Sequence, residues 1–336
     1  TDAVDAIQTM VARHVTEAYA VDPEDLAYPL TPRIEAFRSG IYALASLGAY
    51  DALAATVLTD EGEPILWWWP VAYALGQVGD VRAVGPLSTL VGTQGSIGVA
   101  MAAKGLGALG DPAGLPALLE LLDLRRRDLR VVVSAVRALG ELGDVTAAPA
   151  LRRLLLTPDL DPTLLLELVE ALTAVGARES TDIMIELVTH RSPRLRGAAV
   201  RGLAQLDPDL FLVVLSGLPQ DPQWEVRAEL ARAFALVAPD VAAFRLTMLL
   251  DDQDRRVIPA VLRGLVGVGA PNAEEVLLAH LLDEDVVVRK TAAVLLGGLG
   301  SRTAVEPLAV SYRAAAADPS YLARAAAVDS LAKIGG

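Results

Sequence analysis

The chain has 336 residues, and its 42 acidic side chains outnumber 29 basic ones to give a formal net charge of −13. That charge opposes the phosphate attraction that nucleic acids and anionic lipid surfaces depend on. There is no cysteine, which excludes disulfides and thiolate metal sites, and the 4% of aromatic residues among 53% hydrophobic ones leaves a core of Leu, Val, Ala and Ile suited to close helix packing.

Residues 1–30 are read as an N-terminal capping helix and loop, ahead of a repeat array over residues 31–336. The longest uncharged stretch, Ala83 to Ala103, contains Pro86 and several Gly, Ser and Thr, so no membrane insertion is expected; the chain opens at Thr1 without Met or an apolar signal region, and its natural beginning is read as removed. From there a turn signature recurs: Leu47-Gly48, Val78-Gly79-Asp80, Leu109-Gly110-Asp111, Leu142-Gly143-Asp144, Val175-Gly176, Leu206-Asp207, Val237-Ala238, Val268-Gly269, Leu299-Gly300 and Ile334-Gly335. These turns stand 31 to 35 residues apart, which fits two helices of roughly a dozen residues and two short turns.

Four residues before each turn stands Leu44, Leu75, Leu106, Leu139, Leu172, Leu203, Phe234, Leu265, Leu296 or Leu331. Offsets of one, four, eight and twelve residues share one helical stripe, so these positions predict the buried face of the first helix of each pair. Five residues back the side chain is mostly Ala or Gly, as at Ala74, Gly105, Ala138, Ala171, Gly202 and Gly264, which lets neighbouring backbones come close. After each turn a second apolar helix follows, seen in Leu115, Leu118, Leu119 and Leu122, with Pro116 and Pro149 in first turns where the missing N–H is harmless. The Gly predicts a left-handed helix end, and the Asp after it a cap for the next helix. One such hairpin cannot bury its apolar faces alone, whereas a stack can. The expected fold class is therefore an all-α solenoid of about ten antiparallel helix pairs. The tenth shows a first helix, Ala323 to Ile334, and a turn at Gly335-Gly336 but no second helix, so the last repeat is read as incomplete and the chain as part of a longer protein.

In segments such as Gly79-Asp80-Val81-Arg82-Ala83-Val84-Gly85-Pro86-Leu87 and Leu109-Gly110-Asp111-Pro112 the chain resembles the HEAT repeat, an armadillo-like unit, and particularly its phycobilisome-lyase-type variant. A second HEAT feature is an Asp six residues ahead of an Arg, as in Asp221 and Arg227, Asp283 and Arg289, Asp318 and Arg324. The resemblance implies that these residues form a ladder between adjacent repeats. His190 stands in the Asp position ahead of Arg196 and Asp252 is followed by Ile258, so the ladder reads as incomplete. In the N-terminal half the Arg positions become Phe37, Trp68, Val99, Val132 and Leu165, which predicts different joints or surfaces in the two halves. The segments Trp68-Trp69-Pro70-Val71-Ala72-Tyr73-Ala74-Leu75, Phe211-Leu212-Val213-Val214-Leu215-Ser216-Gly217-Leu218 and Tyr321-Leu322-Ala323-Arg324-Ala325-Ala326-Ala327 resemble bacterial HEAT arms that precede a cyclophilin-type peptidyl-prolyl isomerase domain. That resemblance implies that isomerase chemistry would belong to a region outside this sequence, in a bacterial cytoplasm or periplasm.

Chemistry-bearing patterns are few. His14, His190 and His280 fall in different repeats, and the His-Glu pairs of HEAT-type di-iron hydroxylases are missing from the sequence. Carboxylate clusters at Asp251-Asp252, Glu274-Glu275 and Asp283-Glu284-Asp285 read as helix caps, and the sequence contains no phosphate-loop or Gly-x-Ser-x-Gly motif. No catalytic residue, metal site or cofactor is expected. Arg125-Arg126-Arg127 reads as a solvated loop. Trp67-Trp68-Trp69, taken as helical with Trp67 on the core stripe, leaves Trp68 and Trp69 as candidate partner-binding residues.

The expected function is a non-catalytic scaffold or adaptor that binds a protein or peptide through a curved surface, with a place in a larger assembly and no nucleic-acid partner. The alternatives are the arm of a prolyl isomerase and a bilin-lyase-like protein that handles a chromophore; a DNA glycosylase is disfavoured by the acidic charge. The register itself is testable at Leu139. Leu139→Ala should cost about 2–5 kcal/mol in denaturant unfolding and weaken the neighbouring repeats, and a change near zero would reject the alignment.

Overall fold

The computed structural model describes residues 2–18, 31–93 and 95–335. It is an all-α solenoid of antiparallel helix pairs, and among the described residues the extended pairing is confined to one isolated bridge between Leu58 and Pro64. By internal contacts the chain divides into two compact units, residues 1–180 and 181–336.

In the first unit α1 spans Asp2–Ala18, and the pairs are α2 (Pro32–Ser46) with α3 (Tyr50–Val57), α4 (Trp69–Gln77) with α5 (Val84–Val91), α6 (Ile97–Leu109) with α7 (Leu115–Glu120), and α8 (Leu129–Leu142) with α9 (Ala148–Leu155); α10 is Pro162–Ala174. The second unit begins with α11 (Thr181–Leu187). Its pairs are α12 (Pro193–Leu206) with α13 (Pro208–Ser216), α14 (Trp224–Phe234) with α15 (Pro239–Met248), α16 (Ile258–Gly267) with α17 (Ala273–Ala279), and α18 (Val286–Leu299) with α19 (Val305–Ala314), followed by α20 (Leu322–Gly335). The N-terminal helix expected within residues 1–30 is α1, whose buried Val11 packs against Gly40 of α2; the loop expected after it lies outside the described residues, as does Gly336.

The turns form where the repeat signature puts them. Gly48, Gly79, Gly110, Gly143, Gly176, Gly269 and Gly300 all have φ between +63° and +72°, the left-handed conformation that glycine adopts without steric cost. Asp80, Asp111 and Asp144 then accept the backbone N–H of Arg82, Ala113 and Thr146 at 2.8–2.9 Å, opening a short 3-10 turn that leads into the second helix. Where glycine is missing, at Asp207 and Ala238, Pro208 and Pro239 start the next helix directly, and the Asp207 carboxylate accepts from Leu210 N–H at 2.9 Å.

The stripe four residues before the turn is buried from Leu44 through Leu296, including Phe234, whereas Leu331 on α20 is only partly covered. The small residues explain how closely the first helices pack. A Cβ built on Gly76 would lie 2.6 Å from Gly105 Cα, one on Gly107 would lie 2.7 Å from Ala138 Cα, and one on Gly140 would lie 3.1 Å from Ala171 Cα. In the second unit the same register brings Gly297 against Ser330, whose Cα would be 2.9 Å from the added carbon. In each case a residue three before the turn faces one five before the next turn. Gly76→Val should therefore destabilise the first unit by roughly 1–3 kcal/mol in chemical denaturation, because the neighbour it meets is backbone and cannot rotate away. Wild-type stability in this variant would show that α4 and α6 do not approach as described.

Candidate functional site

Three arginines of the second unit each bridge two repeats. Arg196 donates from Nε and Nη2 to both carboxylate oxygens of Asp221 at 2.6 and 2.8 Å, while its Nη1 donates to the carbonyl of His190 at 2.9 Å. Arg227 repeats the arrangement with Asp252, at 2.7 and 2.9 Å, and with the carbonyl of Asp221 at 2.9 Å. Arg289 pairs with Asp318 and donates to the carbonyl of Asp283 at 2.6 Å. The residue six before each arginine thus supplies a backbone carbonyl, and the carboxylate comes from the following repeat, 25 to 29 positions later.

This geometry alters the expected membership. Asp252, read as a break in the ladder because Ile258 follows it, is the acceptor for Arg227, and Arg196 belongs although His190 precedes it. The break falls one step later: with Ile258 in the arginine position, Asp283 is held instead by His280 Nδ1 at 3.0 Å and by Arg255 at 3.7 Å. Arg324 makes no such pair among the described residues, and its Nε is buried without a hydrogen-bond partner. The signal that would have found the true pairs is an Arg followed by an Asp at the start of the next first helix. Burial pushes the Asp221 and Asp252 carboxyls upward, but the hydrogen bonds from Arg196 and Arg227 outweigh it and hold both below the ordinary carboxylate range. Hydrogen bonding to Asp252 in turn holds the Arg227 guanidinium above its ordinary value.

Beside these ion pairs a cavity of about 460 Å³ opens between the α12–α13 and α14–α15 hairpins. Its walls are mainly apolar, with Val200, Leu215, Leu218, Leu230, Phe234 and Leu249 among them, and its polar groups include Arg196, Asp221, Arg227 and Arg245. The cavity exists because α12 and α14 pack closely while α13 and α15 meet only marginally. Although α13 is apolar from Leu210 to Leu215, it buries only Phe211. No periodic signal in the sequence marks this splay.

In the first unit the arginine position holds an apolar column: Phe37, Trp68, Val99 and Val132 are all buried, and the rings of Phe37 and Trp68 stack at 6.4 Å. The tryptophan reading is corrected here. Helix α4 starts only at Trp69, with Pro70 in its first turn and an extended backbone at Trp68, so the helical stripe does not run back to Trp67. Trp67 is 52% exposed and Trp68 only 2%, the reverse of the expectation. Trp68 is a core residue and not a surface anchor, while Trp69 is half-buried, edge-on to Trp68 at 6.4 Å.

Repeated hairpins joined by Asp–Arg ladders also have a counterpart among known families: residues 99–164 and 156–235 match HEAT repeats. Residues 99–235 are thus similar to HEAT repeats. Among solved structures, the chain is similar to an engineered protein at 20% identity (97% of this chain, 88% of that chain, TM-score 0.43). The complex of CpcE and CpcF of phycocyanin lyase from Nostoc sp. is similar at 18% identity (94% and 99%, TM-score 0.40), and human deoxyhypusine hydroxylase in complex with glycerol at 16% (99% and 96%, TM-score 0.32). No curated protein matches the chain.

The remaining candidates are distributed along the solenoid. His190 accepts from Ser192 N–H at 3.0 Å, His280 meets Asp283, and His14 keeps a buried Nδ1 without a partner. No three metal-ligating side chains cluster among the described residues. Of the arginine loop, Arg127 donates to the Thr93 carbonyl at 3.2 Å and Arg126 pairs with Asp123. No helix among the described residues is long and apolar enough to cross a membrane.

The ladder makes two linked outcomes testable. With Asp252 fully buried, Arg227→Ala should cost about 3–5 kcal/mol by stranding the carboxylate, whereas Arg227→Met with Asp252→Leu should recover most of that loss. Because the folded-state values of Asp221 and Asp252 are lowered, their contribution is fully present above the unfolded carboxylate range and is lost as pH falls through the lowered values. Acid titration of unfolding should therefore show a steeper loss below pH ~4 in the wild type than in the double variant.

Proposed function

We propose that the chain is a non-catalytic scaffold that binds a protein or peptide partner through the edge carrying Trp67. The observation that supports this reading is the half-exposed Trp67 indole on a rigid base: the residue behind it, Trp68, is packed in the core, and the Trp67 carbonyl lies against Gly98 at the start of α6. A large ring held in place by the fold loses little entropy on binding, which is the physical profile of an interface anchor.

The surroundings set the partner's chemistry. The segment running into Gly98 is tied to basic side chains, since Arg130 donates to Ser96 Oγ at 3.0 Å and Arg127 to the Thr93 carbonyl. The indole would meet an apolar side chain of the partner, while Arg130, which also pairs with Asp128, keeps its charge within the protein.

Trp67→Ala should remove one stoichiometric protein from a pull-down out of native extract, and weaken binding of that purified partner at least tenfold. Its unfolding midpoint should stay at the wild-type value, because the ring contributes little to the core. Retained partner binding in the variant would reject this edge as the interface.

A further inference from the structure

We propose that the cavity between the α12–α13 and α14–α15 hairpins is a binding site for an aliphatic monocarboxylate, with the alkyl chain against the apolar walls and the carboxylate on Arg245. At about 460 Å³ the space falls within the range of small-molecule sites. Leu215, Leu218, Leu230 and Leu249 give it an aliphatic lining against which an alkyl chain would be withdrawn from water.

The charged groups decide the rest. Arg196 is engaged by both oxygens of Asp221 and by two backbone carbonyls, and Arg227 by both oxygens of Asp252 and the Asp221 carbonyl. Their charges and donors are consumed within the protein. Arg245, on α15, is half-buried in the wall and makes no hydrogen bond or ion pair with any described residue. The lining therefore presents three guanidinium groups and one carboxylate, and after Asp252 has neutralised Arg227 a single positive charge is left over. One free guanidinium complements one carboxylate, in the bidentate geometry that pair adopts.

The same inventory selects a free acid over a peptide. A peptide entering the cavity would bring backbone N–H groups, each costly to bury without an acceptor, and the acceptors of Asp221 are already taken by Arg196 and by Gln223 N–H at 2.9 Å. An alkyl chain makes no such demand. This site is independent of the Trp67 edge, which lies in the other unit.

Isothermal titration calorimetry of the full chain with dodecanoate, kept below its micelle concentration, tests the assignment. Saturable one-to-one binding is expected, with no binding of dodecyltrimethylammonium, which carries the same chain and the opposite charge. Arg245→Gln should weaken dodecanoate at least tenfold and Arg245→Lys by less, while Leu215→Trp, which fills the cavity from α13, should abolish binding; circular dichroism checks that each variant is folded. The proposal is overturned by absent or non-saturable heats, by equal binding of the ammonium compound, by an unchanged affinity in folded Arg245→Gln, or by an acidic leucine-rich peptide that binds more tightly than dodecanoate.

Discussion

The close approach of successive first helices is the constraint on which the rest of this molecule depends. Gly76 against Gly105, Gly107 against Ala138 and Gly140 against Ala171 leave no room for a larger side chain between backbones. That spacing is what carries the stripe from Leu75 to Leu172 out of water, because two apolar helices held further apart would leave voids along their seam. In the second unit Gly297 and Ser330 repeat the contact, and Ser330 secures its hydroxyl by donating to the Ala293 carbonyl at 2.8 Å. A polar group is tolerated at so tight a contact because its hydrogen bond is made within the seam.

One position, eleven residues before the turn, shows two solutions to the same packing problem. In the first unit it holds Phe37, Trp68, Val99 and Val132, and the joints are apolar. In the second it holds Arg196, Arg227 and Arg289, and the joints are ion pairs with additional bonds to backbone carbonyls. The two differ in what they demand of their neighbours. An apolar joint tolerates small displacements, whereas a bidentate guanidinium–carboxylate pair specifies distance and angle, and a half-broken one costs more than it ever contributed. Ile258 illustrates this: where arginine is replaced by a buried aliphatic, Asp283 turns to His280 and Arg255 instead of standing unpaired.

The two candidate surfaces have different origins. The second helices are short and, apart from α5 and α7, successive ones hardly touch, and between α13 and α15 the space so left forms the cavity beside the Arg196–Asp221 pair. At the other surface Pro70 delays the start of α4 and turns Trp67 outward while Trp68 fills the core.

Nine of the ten expected turns, the stripe from Leu44 to Leu296 and the small-residue contacts were legible in the sequence, because each depends on local geometry: 3.6 residues per helical turn, glycine at a left-handed cap, and in three repeats an aspartate one residue later; at the tenth position α20 runs on through Gly335. The ladder was half legible. Its residue types and six-residue spacing could be read, but which carboxylate meets which guanidinium is set by the rise from one repeat to the next, so Asp252 was misjudged as a break. The tryptophans failed for a similar reason, since a proline one residue past Trp69 decides where the helix begins, and with it which ring faces the core. The cavity and the unengaged Arg245 left no trace in the sequence at all. They result from the angle between neighbouring hairpins, which packing over many residues determines and no local pattern encodes.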